Sequence, residues 1–333
     1  MKKSDIVSKS TVLVTGANGL LGVNTIMELL SQGYSVKGLL RDKKKFPAFE
    51  HENLELIEGD IMDYKCLCSS MGNIKYVVHI AATTSQSVLN YEDYRKVNFE
   101  GTKNTIEAAI INNVQRFIYV STASAIGFGS LDNLGSESHK IRDPFDKSFY
   151  AISKLEAQEY IAKQKHRIEV VTVNPTFLIG AYDSKPTSGK IVLMGLRKRL
   201  VFCPPGGRNF VGVKDVSKGI IKALEKGKNG QLYLLANENL TFKQFFQLLR
   251  TITNGKYLIL ELPKPVLLTI GYFGNMLRWL KIRTSLSMEN MKAICSNNYY
   301  SNNKAKTELR IAFNPIGEAI NEAVKWFVKY NRN

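Results

Sequence analysis

The sequence predicts an α/β fold: a doubly wound parallel sheet in the N-terminal half, followed by a smaller, mostly C-terminal α/β region. Three observations predict it. Short apolar runs of strand length alternate with segments of helical periodicity from residue 11 to residue 173, the pattern of consecutive βα units. A glycine-rich turn separates the first run from the first helical segment. The alternation then breaks down at Pro175, Pro186, Pro204 and Pro205, because proline lacks a backbone donor and ends regular elements.

Residues 11–15 read as a short buried strand, and 20–30 as a helix with apolar residues at three and four spacing. Strands two to five are expected at 35–40, 54–57, 75–80 and 116–120, with helical segments at 64–71 and 91–112. A helix over 149–164 leads to a strand at 169–173. Beyond it, helical patterns at 216–226, 241–253, 265–280 and 315–330 alternate with short strands around Phe210 and Leu232. A dinucleotide-binding domain over residues 1–175 is expected, and a substrate-binding region over 176–333 with parts returning to the sheet. No internal repeat or low-complexity tract stands out.

The 333 residues can bury a sizeable core. With 44% apolar and 23% charged residues the composition is that of a globular protein. The charge balance is unusual: 46 Lys plus Arg against 29 Asp plus Glu, a net charge of +17, which attracts anionic partners. The cations are scattered, with short runs at 43–45 and 197–199, and form no nucleic-acid module, so nucleic acid is not the expected partner. Cys66, Cys68, Cys203 and Cys295 lack zinc-site spacing and read as thiols of a reducing compartment. The charged N-terminus has no signal-peptide core, and a cytoplasmic location is expected. The apolar stretch 265–280 is broken by Asn275 and Arg278 and falls short of the ~20 residues that span a bilayer. It reads as a helix packed over a substrate pocket or, with Lys264, Arg278, Lys281 and Arg283 around it, as an interfacial helix on anionic lipid.

Gly16, Gly19 and Gly22 follow the first strand at spacing three and three, with Asn18, Leu20 and Leu21 between them, and open a helix. Glycine permits a sharp turn and close approach to a pyrophosphate, and the helix N-terminus offers free N–H groups and partial positive charge. The acid that would accept from the adenosine ribose is expected at the end of the second strand. Leu40 stands there, followed by Arg41, so NADP is expected with Arg41 on the 2′-phosphate; Asp42 leaves NAD open.

Tyr150 and Lys154 lie four residues apart, on one helix face. A phenol with a pKa of about 10 needs a nearby cation to exchange protons at neutral pH. At the end of the fifth strand Ser121, Thr122 and Ser124 offer hydroxyls at the carboxyl edge of the sheet, where open α/β folds bind ligands. Thr122 is the first candidate to orient a substrate oxygen beside Tyr150.

With these elements in order, the chain resembles the extended short-chain dehydrogenase/reductase family, in its epimerase/dehydratase and dihydroflavonol reductase-like branch. The resemblance covers most of the chain: Thr15–Gly16–Ala17–Asn18–Gly19–Leu20–Leu21–Gly22, Gly59–Asp60–Ile61, His79–Ile80–Ala81–Ala82, Asn98 with Gly101–Thr102, Tyr150 with Lys154, and Asn174–Pro175–Thr176. It implies a Rossmann-type fold in which Asp60 and Ile61 contact adenine. Ala81, Ala82 and Thr83 would line the cofactor path with Ser121, Asn98 would brace the sheet, and Pro175, Thr176, Phe177 and Leu178 would flank the nicotinamide. Lys154 would also hold the nicotinamide ribose. Gly212 and Lys214 depart from the family pattern within 210–216, which touches substrate contacts more than the fold. The segment from Tyr299 to Phe327 is similar to the end of reductases of this branch and of hydroxysteroid dehydrogenases.

The expected function is NADP-dependent hydride transfer to or from a carbonyl or secondary alcohol. Its alternatives are an NAD-dependent nucleotide-sugar epimerase or dehydratase and a non-catalytic dinucleotide sensor. His139, Tyr182, Lys185 and Arg208 are candidates to meet the substrate. A homodimer through the helices at 91–112 and 149–164 is expected by analogy with the family; no metal is expected.

Overall fold

The structure, a computed structural model, describes residues 9–330 apart from Ala48 and Arg197. The N-terminal segment read for export signals, residues 1–8, and the first arginine of the 197–199 run therefore lie outside the described residues. In chain order the strands are β1 (Lys9–Thr15), β2 (Tyr34–Leu40), β3 (Leu54–Glu58), β4 (Tyr76–His79), β5 (Arg116–Val120), β6 (Glu169–Pro175), β7 (Phe177–Ile179), β8 (Leu200–Cys203), β9 (Gly207–Gly212), β10 (Leu232–Leu235), β11 (Glu238–Thr241), β12 (Leu258–Glu261) and β13 (Asn297–Asn298). The α-helices are α1 (Leu20–Ser31), α2 (Tyr64–Ser70), α3 (Tyr91–Arg95), α4 (Gly101–Ile111), α5 (Phe149–Lys163), α6 (Lys190–Gly195), α7 (Val213–Lys226), α8 (Phe242–Thr253), α9 (Lys264–Trp279), α10 (Met288–Cys295) and α11 (Ile316–Tyr330).

The large sheet has the order β10-β6-β5-β4-β1-β2-β3, and every pairing in it is parallel. Parallel sheets are covered on both faces, and β1 shows how. Val12 and Val14 join a cluster with Ile26 and Leu29 of α1 and Ile220 and Leu224 of α7. Leu13, pointing the other way, joins Leu67 of α2, Ile106 of α4, and Ala157 and Ile161 of α5. Two elements of the C-terminal half, α7 and β10, thus complete the sheet begun by the N-terminal half.

The segment expected as one helix over 91–112 is α3, a π turn at Lys96–Glu100 and α4. Such an insertion re-aims side chains and is frequent at functional sites; here it carries Asn98.

The second lobe is built on β9, which pairs with antiparallel β11, parallel β13 and parallel β7, while β8 and β12 form a separate parallel pair. Its core is aromatic: Phe210, Phe242, Phe245, Phe246 and Phe327. Helix α8 starts with a reciprocal capping box between Thr241 and Gln244, which satisfies two orphan donors of the first turn.

Candidate active site

The strand order reverses between β1 and β4, and open α/β sheets bind ligands at such a point. Gly16 has φ +70°, and a Cβ there would stand 2.9 Å from the Ala81 backbone; a Cβ on Gly22 would stand 2.2 Å from the Gly16 carbonyl oxygen. Side chains at either position would fill the cradle. Helix α1 begins at Leu20 behind Gly19 with no side-chain cap and no acid in its first turn, which leaves its N–H groups and positive end for an anion. A dinucleotide pyrophosphate fits this geometry.

Beneath the cradle lies a buried hydrogen-bond chain. The Thr15 hydroxyl accepts from the Ile80 and Ala81 N–H groups, both at 3.2 Å, and lies 2.8 Å from His79 Nδ1. The other ring nitrogen, Nε2, is 3.0 Å from the Thr102 hydroxyl, which donates to the Asn98 carbonyl at 2.7 Å. Proton inventory fixes the roles. Thr102 spends its proton on Asn98 and accepts from His79 Nε2–H, so Thr15 donates to a bare Nδ1. Burial holds this imidazole neutral, with its pKa lowered to about 3, and the Lys154 charge adds to the shift.

Asn98 ties the next layer together. Its amide accepts from the Thr83 N–H at 2.7 Å and donates to the Thr83 carbonyl at 3.1 Å and the Ser153 hydroxyl at 2.9 Å. Ser153 in turn donates to the Tyr150 carbonyl at 2.8 Å. On the far side, the Asn174 amide donates to the Thr122 carbonyl at 2.7 Å and to Gln158 Oε1 at 2.9 Å, and its own Oδ1 is buried without a partner. Helix α5, capped by Ser148, is therefore bolted to the loops after β4 and β5.

On α5, Tyr150 is half-buried and Lys154 is buried. Burial raises the Tyr150 phenol above its usual value, and the nearby Thr122 hydroxyl opposes the rise. Lys154 Nζ donates to the Val120 carbonyl at 2.7 Å and lies 4.3 Å from the centre of the Tyr119 ring. It has no carboxylate partner among the described residues, and burial brings its pKa down to about 7. Ser121, buried, donates its backbone N–H to Val173 at 2.8 Å.

At the end of β2, Leu40 is buried, whereas Arg41 is exposed. The Asp42 carboxylate accepts from the Lys44 N–H at 3.1 Å and pairs with Lys45; that pairing holds it below the usual carboxylate range, with a further contribution from nearby Lys185. Asp60 accepts from the Met62 N–H at 2.9 Å, beside buried Ile61. Beyond β6, which Pro175 closes, Phe177 and Leu178 pair through β7 with β9, and the Thr176 hydroxyl donates to Asn209 at 2.7 Å.

A cleft of about 350 Å³ opens beside Tyr150, walled by Val88, Leu89, Tyr94 and Phe149 and, from the second lobe, Asn275, Arg278 and Trp279. Arg278 fastens that wall by donating to the Val88 carbonyl at 2.8 Å and the Gln86 carbonyl at 3.4 Å. Of the expected substrate contacts, Arg208 lies 5.5 Å from the centre of the Phe177 ring with its pKa lowered by burial. His139 holds its own loop through Ser136, Tyr182 packs beside Trp326, and Lys185 stands on the Asp42 side. Sequence reasoning named neither Gln158 nor Arg278 in a site role; the only signal for Arg278 was its position inside an apolar stretch.

A sheet wound in this order, with an uncapped glycine cradle at its switch point and a Tyr–Lys pair on the neighbouring helix, defines a nicotinamide-dependent oxidoreductase. The chain belongs to the NAD dependent epimerase/dehydratase family, whose sequence model matches residues 12–236, within the extended short-chain dehydrogenases/reductases. A protein of Synechocystis sp. named for dihydroflavonol 4-reductase is 30% identical, covering 94% of this chain and 93% of its own. Sterol demethylase protein B of Methylococcus capsulatus is 25% identical over 95% of this chain and 98% of its own. Among solved structures, gox2253 superposes with a TM-score of 0.82 at 28% identity, covering 97% of this chain and 99% of its own.

Proposed function

We propose that the protein is an NADP-dependent reductase or dehydrogenase that interconverts a ring carbonyl and a secondary alcohol on an apolar substrate. The observation that carries this reading is the Tyr150 phenol in the cleft wall, one helical turn from buried Lys154. The bound nicotinamide supplies or accepts hydride at the carbon of the reacting C–O bond. In the reducing direction Tyr150 gives its proton to the carbonyl oxygen, which Thr122 orients, so hydride and proton together make the alcohol. Tyr150, kept protonated by burial, is suited to donate. Lys154 holds the nicotinamide ribose and favours the phenolate left behind.

Support for NADP comes from charge at the end of β2. Arg41 is exposed, Lys185 lies near, and the Asp42 carboxylate is already engaged by Lys44 and Lys45, so a 2′-phosphate meets cations rather than a free acid. Gly16, Asn18, Gly19, Leu20, Leu21 and Gly22 take the pyrophosphate, Asp60 and Ile61 the adenine, and Ala81, Ala82, Thr83 and Ser121 the stretch toward the nicotinamide. Support for an apolar substrate comes from the names of the two relatives; the cleft itself is mixed, with Val88, Leu89, Phe149 and Trp279 beside Lys147, Asn275 and Glu289.

The test is NADPH consumption, followed by nicotinamide absorbance, against flavonoid and steroid ketones. Turnover is expected with the parent protein and is expected to vanish in Tyr150→Phe with NADPH binding kept; turnover that survives the substitution sinks the assignment. One observation favours a second reading. Half-buried Arg208 has no carboxylate partner among the described residues, and a nucleotide-sugar phosphate would give it an anion. Release of tightly held NAD on denaturation, with no net cofactor turnover, would put epimerase or dehydratase chemistry first.

A further inference from the structure

We propose that the outer face of α9 is a lipid-docking surface by which the protein rests on an anionic bilayer, with its substrate cleft at the interface. The helix is apolar almost all round, but only one side is covered. Leu267, Gly271 and Gly274 are buried. At the two glycines the backbone meets α10 and the loop before it so closely that a Cβ would stand 3.0 Å from Met288 Cα or 1.2 Å from the Leu286 carbonyl oxygen. That contact fixes which side faces out. Tyr272, Phe273, Met276, Leu277 and Leu280 emerge on the other side at one- and four-residue spacings, all exposed, and Trp279 beside them is 82% exposed. A globular helix in water carries polar residues there.

The patch continues along the chain. Two residues separate β12 from α9, and Leu258 and Leu260 of β12 pair with Leu200 and Phe202 of β8. All four side chains are exposed, and clustered exposed apolar side chains mark an interaction surface.

Charge selects the occupant. Between Glu261 and Glu289 the chain has no acid; Arg278 is tied to the cleft wall, and Lys264, Lys281 and Arg283 flank the two ends of the helix. Apolar and aromatic side chains rimmed by cations match a headgroup layer with anionic lipid below it. A two-fold contact with a second copy would instead set these cations against themselves. The helix has 16 residues, and no described helix is long and apolar enough to cross a membrane, so the contact is shallow. Its functional meaning rests on the proposed apolar substrate: Trp279, Asn275 and Arg278 belong both to this helix and to the cleft beside Tyr150, so a substrate dissolved in lipid has a short route in.

The test needs neither cofactor nor substrate, so its failure is separable from failure of the proposed chemistry. The chain has two tryptophans; in the full-length Trp326→Phe variant, Trp279 alone reports. This protein is incubated with vesicles of phosphatidylcholine alone or mixed with phosphatidylglycerol. Sedimentation with the mixed vesicles, reversed by salt, with a blue shift of Trp279 emission, is expected. Phe273→Ser/Met276→Ser should weaken that binding by about tenfold or more, with thermal melting and circular dichroism as controls that the variant is folded. The proposal is overturned by an unshifted emission and no sedimentation with mixed vesicles, or by undiminished binding of the double variant. It is equally overturned if Trp279 shifts with protein concentration in the absence of lipid and the double variant abolishes that self-association.

Discussion

The two ends of the cleft are built on opposite principles. At the cofactor end polar atoms are buried and matched: Thr15, His79, Thr102, Asn98 and Ser153 form a chain in which nearly every proton has an assigned acceptor. At the far end, on the outer side of α9, apolar atoms are exposed and unmatched. The first arrangement ties the backbone down before any ligand arrives, which is what electrostatic recognition of a pyrophosphate and alignment for hydride transfer require. The second holds a rigid helix by one glycine-lined side and leaves its other side to be covered. A shared cofactor calls for the former; the latter is where a chain can acquire its own substrate and location.

The comparison is broken most severely at Tyr150. Removing its hydroxyl in Tyr150→Phe should lower turnover by about 10²–10⁴-fold while leaving nucleotide binding near the parent value, as read by steady-state kinetics beside a fluorescence titration. Next comes the cradle. Gly22→Ala puts a methyl 2.2 Å from the Gly16 carbonyl oxygen; it should destabilise the fold by about 1–3 kcal/mol and weaken dinucleotide binding, measured by urea melts and titration. An affinity at the parent level would mean that the pyrophosphate sits elsewhere.

Two pH experiments sharpen the contrast. The folded-state pKa of His79, about 3, lies below its unfolded value, about 6.5. Between those values the unfolded chain binds the extra proton, so stability falls as pH falls, by about 1.4 kcal/mol per pH unit from this group. His79→Gln should be less stable near pH 8 and show a flatter acid limb in urea melts. Lys154 is also depressed, to about 7, from about 10.4 unfolded. Its unpaired ammonium therefore costs the fold most below pH 7, and the cost fades as pH rises toward 10. Lys154→Met should melt at or above the parent temperature near pH 6, lose that advantage as pH rises, and be catalytically poor throughout.

Much of the cofactor end was legible in the sequence because its signals are local. A strand of Val12, Leu13 and Val14 buried on both faces, three glycines at fixed spacing and a tyrosine four residues before a lysine each need only a short window. The π turn at Asn98 was not legible, since the phase slip it makes falls in a stretch whose apolar residues, Tyr91, Tyr94, Val97 and Phe99, are too few to show it. Nor were β7, β8, β11, β12 and β13, whose two to four residues are too few to show a period. Gln158 and Arg278 act through partners far along the chain, Asn174 and Val88, and nothing in their neighbourhoods announces it. The stretch 265–280 offered two readings, pocket cover and interfacial helix. The structure gives its two sides different surroundings, so both readings stay in play, one for each side.

The central claim is that a nicotinamide dinucleotide carrying a 2′-phosphate binds at the switch point beside Tyr150. The most direct test titrates the parent protein, Arg41→Ala and Lys185→Ala with NADPH and NADH, following nicotinamide fluorescence. The account predicts tighter binding of NADPH by the parent, with the preference largely lost in Arg41→Ala and reduced in Lys185→Ala. Tighter binding of NADH would contradict the NADP assignment, and binding of neither would contradict the site itself.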